Sequence, residues 1–210
     1  MTTQTLPQSL AEILTADRPP EAILQDILPA LGTVLECDRC FIHVRHPATR
    51  LHRHFCWRRR EDIPDTSTAG WIREEPWEQE DPMFAAALRG EPSIFVADVE
   101  TVDPAIANPE FEKKLGHRAL VHAHLCEDGQ LWAILQPAVF DQPRTWSDFD
   151  RSVIEQMVER LKPMVLAYVQ SQYPASASAS VSVSVSASVS DPALSYESAT
   201  PSDRPSLSPT

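Results

Sequence analysis

Two strand patterns meet at a tight turn in the second half of the sequence, and this pairing constrains the fold more than any other feature. Residues 118–126 alternate between apolar and polar side chains, and residues 130–139 form a more continuous apolar run. The residues between them, Glu127-Asp128-Gly129, are typical of a hairpin turn, because Asp-Gly readily adopts the positive φ angles that such turns require. The sequence therefore predicts an antiparallel sheet whose last strand is covered on both faces.

Helices and further strands surround this hairpin. Apolar residues recur every three or four positions over 20–37 and 146–170, which predicts an amphipathic helix near each end, the second interrupted by Pro163. The segments between them predict, in chain order, a hairpin (40–45 and 51–57), a long loop (61–80), a helix after Asp81, a strand (93–96) and a helix (109–115). This order predicts an α+β fold: the terminal helices pack on one face of the sheet, and loops and short helices cover the other.

We expect one globular domain over residues 20–170, preceded by an N-terminal extension (1–19). The tail, 171–210, is almost wholly Ser, Ala, Val and Pro, and it buries too little apolar surface to offset the entropy of ordering, so we expect it to be disordered. The chain carries 30 acidic and 18 basic residues, a net charge of −12, which disfavours nucleic-acid binding. It has neither an apolar run of about 18 residues nor the basic start of a signal peptide, so we expect a cytoplasmic protein without a membrane span.

The cysteines are interpreted as reduced thiols. They are Cys37, Cys40, Cys56 and Cys126. Without a secretion signal a disulfide framework is not expected. The Cys-x-x-Cys pair follows a helix and opens a strand, the reverse of the thioredoxin order.

A His-x-His-x-Cys pattern occurs on two predicted strands. Its members are His52, His54 and Cys56 on one strand, and His122, His124 and Cys126 on the other. Alternate residues of a strand share a face, and imidazole and thiolate are good transition-metal ligands, but three such residues span about 13 Å and cannot all reach one ion. The opposite set on the second strand, Ala119, Val121, Ala123 and Leu125, is the expected core face. Each histidine-bearing face therefore either is a semi-polar surface that contacts loops or a partner, or supplies one or two ligands to the ion of a metal or redox sensor.

Charge is distributed unevenly along the chain. Residues 39–60 contain seven arginines, four histidines and no acid, whereas residues 61–112 contain 14 acids and two bases. Arg58, Arg59 and Arg60 thus form a basic patch that suits an acidic protein partner or an anionic ligand. The alternative is neutralisation by acids of the following loop, namely Glu74, Glu75, Glu78 and Glu80.

Aromatic residues and histidines predict a ligand pocket on the loop side of the sheet. The candidate residues are Trp71, Trp77, Phe84, His117, His122 and His124. The tryptophans can instead anchor the loop, and we assign Trp132 and Trp146 to the core. No GxSxG, phosphate-binding glycine loop or HExxH motif is present, so we expect a protein that is not an enzyme.

Three motifs resemble those of one family. Residues 35–42, LECDRCFI, resemble an "ADR" junction between helix and strand; residues 127–135, EDGQLWAIL, resemble a "DGxLWGLL" hairpin; and residues 142–146, QPRTW, resemble a "PRxW" motif that opens a helix. Over about 20–170 the chain resembles GAF domains, particularly those of cyanobacterial phytochrome-like and cyanobacteriochrome proteins. The resemblance implies a signalling module that binds a small molecule or a protein partner, and copies that pair through their terminal helices.

In photoreceptor members of that family, a cysteine beside a histidine holds a bilin just before the last hairpin. The corresponding region here, 111–118, contains no cysteine, and the place of a second family histidine falls near Ala138-Val139. The resemblance therefore implies no covalently bound cofactor, and leaves an atypical bilin-binding photoreceptor as an alternative.

Overall fold

The structure, a computed structural model, describes residues 5–173. The helices among them are α1 (Gln8–Thr15), α2 (Pro20–Val34), α3 (Pro82–Leu88), α4 (Pro109–Lys114) and α5 (Asp148–Gln172), with a 3-10 turn at Trp77–Gln79. The strands are β1 (Arg39–His46), β2 (Leu51–Arg58), β3 (Ile72–Arg73), β4 (Ile94–Val96), β5 (Ala119–Glu127) and β6 (Gln130–Val139). From residue 174 onward, the tail for which we expect disorder lies outside the described residues.

The strands form one antiparallel sheet in the order β3-β2-β1-β6-β5-β4. Asp128 and Gly129, with φ of 51° and 70°, turn the chain between β5 and β6, so the Asp-Gly prediction is confirmed. The predicted α+β order is confirmed as well. The sequence-based prediction missed β3, which lies inside the expected loop, because a two-residue strand is too short to show a hydrophobic period.

The terminal helices α2 and α5 pack together on one face of the sheet and form the main core with it. The predicted core-face residues of β5 all belong to this core: Ala119, Val121, Ala123 and Leu125. Trp146 is buried there and donates its indole N–H to the Val96 carbonyl at 3.0 Å, whereas Trp132 packs against the core while half-buried. Gly32 of α2 faces the Trp57 ring so closely that an added Cβ would lie 2.0 Å from it.

Helix α5 continues through Pro163 to Gln172, contrary to the predicted interruption. A proline inside a helix costs about 3 kcal/mol. Each large apolar side chain that the continued helix buries contributes about 1.5–3 kcal/mol. Val165, Tyr168 and Val169 are all buried beyond the proline, so their packing outweighs the lost hydrogen bond. None of the helices in 5–173 combines the length and the apolar character needed to cross a bilayer.

Short helices and loops cover the other face of the sheet. Asp81 caps α3 by accepting the Met83 N–H at 2.8 Å, and Asn108 caps α4 in the same way. All four cysteines are free; Cys37 and Cys40 are buried, and burial raises the pKa of the Cys40 thiol. The sheet face beneath the short helices carries many polar side chains, and the candidate site lies there.

Candidate functional site

A cavity of about 250 Å³ lies on the face of the sheet opposite α2 and α5. Its apolar wall consists of Phe41, Trp77, Phe84, Phe111, Leu115 and Ile134. Its polar wall consists of Arg39, His43, His54, Thr66, Asp81, Glu112, His122 and Gln136. An aromatic enclosure with a few inward polar groups is the usual composition of a small-molecule site.

Trp77 connects the apolar wall to the histidine side of the sheet. It follows Pro76 in the 3-10 turn, and its ring meets Phe84 of α3 edge-on at 5.6 Å. The same ring lies 5.5 Å from His43 and 5.1 Å from His52, so it bridges the short helices and the histidine side of the sheet.

Arg39 is fully buried at the start of β1 and is held by polar groups. Its Nη1 donates to the Pro64 carbonyl at 3.1 Å, and its Nη2 contacts His117 Nε2. His117 Nδ1 in turn lies 2.5 Å from a carboxylate oxygen of Glu112. Because the carboxylate accepts, His117 carries its proton on Nδ1 and accepts from Arg39 through Nε2. Burial lowers the pKa of His117 and of Arg39.

Two buried donors of the cavity wall have no hydrogen-bond partner within the described part of the chain. They are Nε of Arg39 and Oγ1 of Thr66. An unpaired buried polar group costs about 1–3 kcal/mol, so an acceptor that reached either donor after a small shift of the wall would bind favourably. The cavity can thus hold an apolar body and receive an acceptor group at this wall.

Asp81 brings a carboxyl group to the cavity. Burial, together with the nearby Glu112, raises the pKa of Asp81 from its usual 3.8 to about 7. A neutral carboxyl group can donate a hydrogen bond, so near neutral pH Asp81 is a possible donor as well as a helix cap.

Glu74 anchors the loop that leads to the cavity. Its carboxylate accepts from Arg45 Nε and Nη2 at 2.8 and 2.9 Å, from Arg50 Nε at 3.0 Å, and lies 3.0 Å from His43 Nε2. Burial alone would raise the pKa of Glu74, but the bonds to His43 and Arg45 outweigh it and lower the pKa to about 2. Glu74 is therefore an ionised, purely accepting group.

Most of the predicted pocket residues lie at or beside the cavity. Trp77, Phe84 and His122 line it. His117 and His124 do not line the cavity but contact residues that do: His117 contacts Arg39, and His124 Nε2 lies 2.9 Å from His122 Nδ1.

Trp71 is the exception among the predicted pocket residues. Its ring stacks on Tyr168 of α5 at 5.8 Å and meets Tyr173, so it lies against the helical core rather than the cavity. It immediately precedes β3, and the pairing of β3 with β2 directs the two ends of the loop to opposite sides of the sheet.

The two His-x-His-x-Cys strands share the cavity face but do not meet. β1 and β6 separate β2 from β5, and three strand spacings amount to about 14 Å. His43 of β1 instead joins His52 and His54, each contributing one ligand atom within 4.8 Å of the others. Cys126 Sγ lies 3.8 Å from the Ala87 carbonyl, and Cys56 is half-buried further along β2.

The basic patch finds partners other than the four predicted loop glutamates, although Asp62 at the start of the loop lies 3.4 Å from Arg60. Arg58 donates to the carbonyls of Glu61 and Ile63, and the exposed Arg60 pairs with Asp141 at 2.8 Å. Glu74 and Glu78 of the loop pair with Arg50 instead.

Sequence reasoning did not single out several groups of the polar wall, notably Arg39, His43, Thr66 and Asp81. One signal was available: Arg39, His43 and Arg45 occupy odd positions of an otherwise apolar strand, which places three polar side chains on one face. Thr66 comes from an irregular loop, and no sequence pattern indicated its position.

Comparison with known proteins identifies the family and the fold. The GAF domain family model matches residues 19–162. The phycoerythrobilin-bound GAF domain of a cyanobacterial phytochrome superposes with a TM-score of 0.63 at 17% identity, covering 81% of this chain and all of the other. The GAF domain of an Acinetobacter phosphoenolpyruvate-protein phosphotransferase gives 0.58 at 9% identity, with 78% and 95% covered.

The chromophore-binding domain of the bacteriophytochrome RpBphP3 from R. palustris gives a TM-score of 0.57 at 14% identity. That match covers 78% of this chain but only 60% of the longer bacteriophytochrome chain. A search of curated proteins finds no match. These sequence identities are low, so the structural similarity shows the fold alone.

Proposed function

Because the chain belongs to the GAF domain family, we propose that it is a non-enzymatic sensory or regulatory module that binds a small ligand in the cavity beneath α3 and α4. The observation that carries the proposal is the pair of unpartnered buried donors, Arg39 Nε and Thr66 Oγ1, on the wall of an aromatic cavity. An empty cavity would leave both donors unsatisfied, and a ligand acceptor would satisfy them.

The ligand class follows from the two walls. The aromatic residues favour a flat, apolar body, and Arg39 and Thr66 favour a carboxylate or carbonyl oxygen attached to it. The cavity is smaller than the roughly 300–1,000 Å³ of sites for drug-sized molecules, which favours a ligand of one or two rings.

A non-enzymatic role is supported by how the cavity's histidines are held. His117 is fixed between Arg39 and Glu112, and His122 is fixed by His124. His43 and His54, which also line the cavity, contact Glu74 and the Thr66 carbonyl. The one hydroxyl among the lining residues, Thr66 Oγ1, has no hydrogen bond to a histidine, so the wall lacks the nucleophile–base pair of nucleophilic catalysis.

An atypical bilin photoreceptor is the alternative that the phytochrome relatives favour, since one of them is a bilin-bound domain. The absence of a cysteine in 111–118, the apolar Ala138-Val139 and the small cavity all weigh against it. Visible absorbance of the protein purified from a bilin-producing host decides between the two: a colourless protein supports the small-ligand proposal, and a bound chromophore supports the alternative.

Ligand binding in the cavity would affect other proteins through contacts on the surface of the module. The proposed surfaces are the Arg58–Arg60 patch, where Arg59 and Arg60 are exposed, and the helices α2 and α5 for pairing between two copies. Light scattering of the purified chain tests the pairing, and a dimer that persists in an Arg59→Glu, Arg60→Glu variant would assign the patch to another partner.

Calorimetric titration of matched probes tests the ligand class. Benzoate and indole-3-carboxylate should bind, and benzene and indole, which lack the acceptor, should bind at least about tenfold more weakly, since a charge-assisted bond contributes about 1.5–3 kcal/mol. Thr66→Val removes only the cavity hydroxyl, and Thr101→Val is the control at an exposed site. Equal binding of charged and neutral probes, or binding unchanged in Thr66→Val, would contradict the proposal.

A further inference from the structure

Three imidazole rings converge on the cavity face of the sheet. His43 of β1 lies directly across from His54 of β2, and His52 follows two residues away on the same face. The ring centroid of His43 lies 4.7 Å from each of the other two, and His52 and His54 are 5.0 Å apart. The indole of Trp77 packs over all three.

The hydrogen bonds of His43 and His54 fix where their protons are. His43 Nε2 faces the ionised Glu74 and His54 Nδ1 faces the Thr66 carbonyl at 3.2 Å, and both partners can only accept. Each ring therefore carries its proton on that outer nitrogen. The inner nitrogens, His43 Nδ1 and His54 Nε2, are left with lone pairs.

These two lone-pair nitrogens lie only 2.5 Å apart. Two lone pairs at that separation repel, and a cation bound by both nitrogens would remove the repulsion.

His52 supplies a third free nitrogen. Its Nδ1 is buried and has no hydrogen-bond partner within residues 5–173. The ring as a whole is 1% exposed, so water does not satisfy that nitrogen from the surface. An unpartnered buried nitrogen beside two converging lone pairs is an independent indication of a ligand site.

We propose that His43, His52 and His54 form a three-histidine site for Zn²⁺. Neutral imidazole suits this ion, and a carboxylate behind a ligating histidine, as Glu74 stands behind His43, is the usual outer support of such sites. Zn–N distances of 2.0–2.1 Å in a tetrahedron place ligand nitrogens roughly 3.3 Å apart, so His43 and His54 need to separate by less than about 1 Å.

The fourth position of the ion would face the cavity, because His43 and His54 both line it. The inference goes beyond the proposed function: the metal would present one open coordination position to whatever occupies the cavity. An acceptor ligand then has a second anchor besides Arg39 and Thr66.

Titration of the full chain with Co²⁺ and with Zn²⁺ tests the site. We expect one equivalent of Co²⁺ to bind with the visible absorption bands of a four- or five-coordinate ion, and Zn²⁺ to displace it. His52→Gln and His54→Gln should each weaken Zn²⁺ binding by at least about tenfold, the loss typical when a metal site is disturbed. His124→Gln is the matched control, a buried histidine at the equivalent position of the other His-x-His-x-Cys strand, and it should bind as the parent does.

Binding of no Co²⁺ by the parent chain would overturn the proposal, as would binding that His52→Gln leaves unchanged. A loss in His124→Gln equal to that in His52→Gln would also overturn it, in favour of ligands from β5. Near-ultraviolet circular dichroism checks folding, and if His54→Gln does not fold, His52→Gln decides, because no hydrogen bond to its Nδ1 is lost. The Thr66→Val titration with benzoate uses the metal-free chain, so the two proposals fail separately.

Discussion

Replacing Asp81 by Asn removes a buried carboxyl group from the cavity wall and leaves the cap of α3 in place, since the amide oxygen also accepts the Met83 N–H. Asp81 is 6% exposed and lies near Glu112, and these two features raise the pKa of its carboxyl group. The substitution should therefore stabilise the protein, by an amount that depends on pH.

The magnitude follows from the shift of the Asp81 pKa from 3.8 to about 7. Between these values the folded chain holds a proton that the unfolded chain has released, so the stability of the parent protein falls as pH rises through this window and is constant above it. A shift of about three units corresponds to about 4 kcal/mol in total. Asn has no proton to lose, so its advantage should grow by about 2.5 kcal/mol between about pH 5 and about pH 8.

Urea unfolding of both proteins at these two pH values, followed by tryptophan fluorescence, measures the difference. Asp103→Asn is the matched control, because Asp103 caps a backbone N–H in the same way at an exposed site; it corrects for the effect of the substitution on the unfolded chain. An advantage of Asp81→Asn that is equal at the two pH values would refute the argument that Asp81 is protonated in the folded cavity.

Three further substitutions test other parts of the structure. Glu74→Gln should cost about 3–5 kcal/mol in urea unfolding near pH 7, because it leaves the buried guanidinium of Arg45 without its carboxylate partner. With a Glu74 pKa of about 2, the cost should shrink as pH falls from 4.5 towards 2, and a pH-independent cost would contradict this. Gly32→Ala should lower the melting temperature, because overpacking against Trp57 costs about 1–3 kcal/mol and outweighs a helix-propensity gain of about 1 kcal/mol. Trp71→Phe should lower stability but leave benzoate binding unchanged, whereas Trp77→Phe should weaken that binding. The reverse pattern would contradict the assignment of Trp77, and not Trp71, to the cavity wall.

The fold was predictable because its signals are local. The Asp128-Gly129 turn, the alternation of β5 and the helical period of α2 and α5 are each contained in a short stretch of sequence. Pro163 was misleading for a physical reason: its local cost is outweighed by burial of residues that follow it, and burial is a property of the whole fold.

The site was predictable only in part because it depends on which strands are neighbours. His52 and His54 were recognised from their spacing, but their third partner, His43, lies on another strand, and only the pairing of β1 with β2 brings it near. Trp71 and Trp77 look alike in sequence, each beside acidic residues in one loop, and the two-residue strand between them sends them to opposite faces. Short pairings of this kind leave no periodic trace.

The six histidines gathered around the cavity have a collective consequence for the response to acid. Burial lowers the pKa of every one: His43, His52, His54, His117, His122 and His124. A histidine whose pKa is lowered on folding takes up its proton only when the chain unfolds, so its contribution to stability is lost as pH falls below about 6.5. With all six acting together, the unfolded chain binds more protons than the folded chain does below about pH 6.5, so these side chains favour unfolding more steeply with acidity than one histidine could.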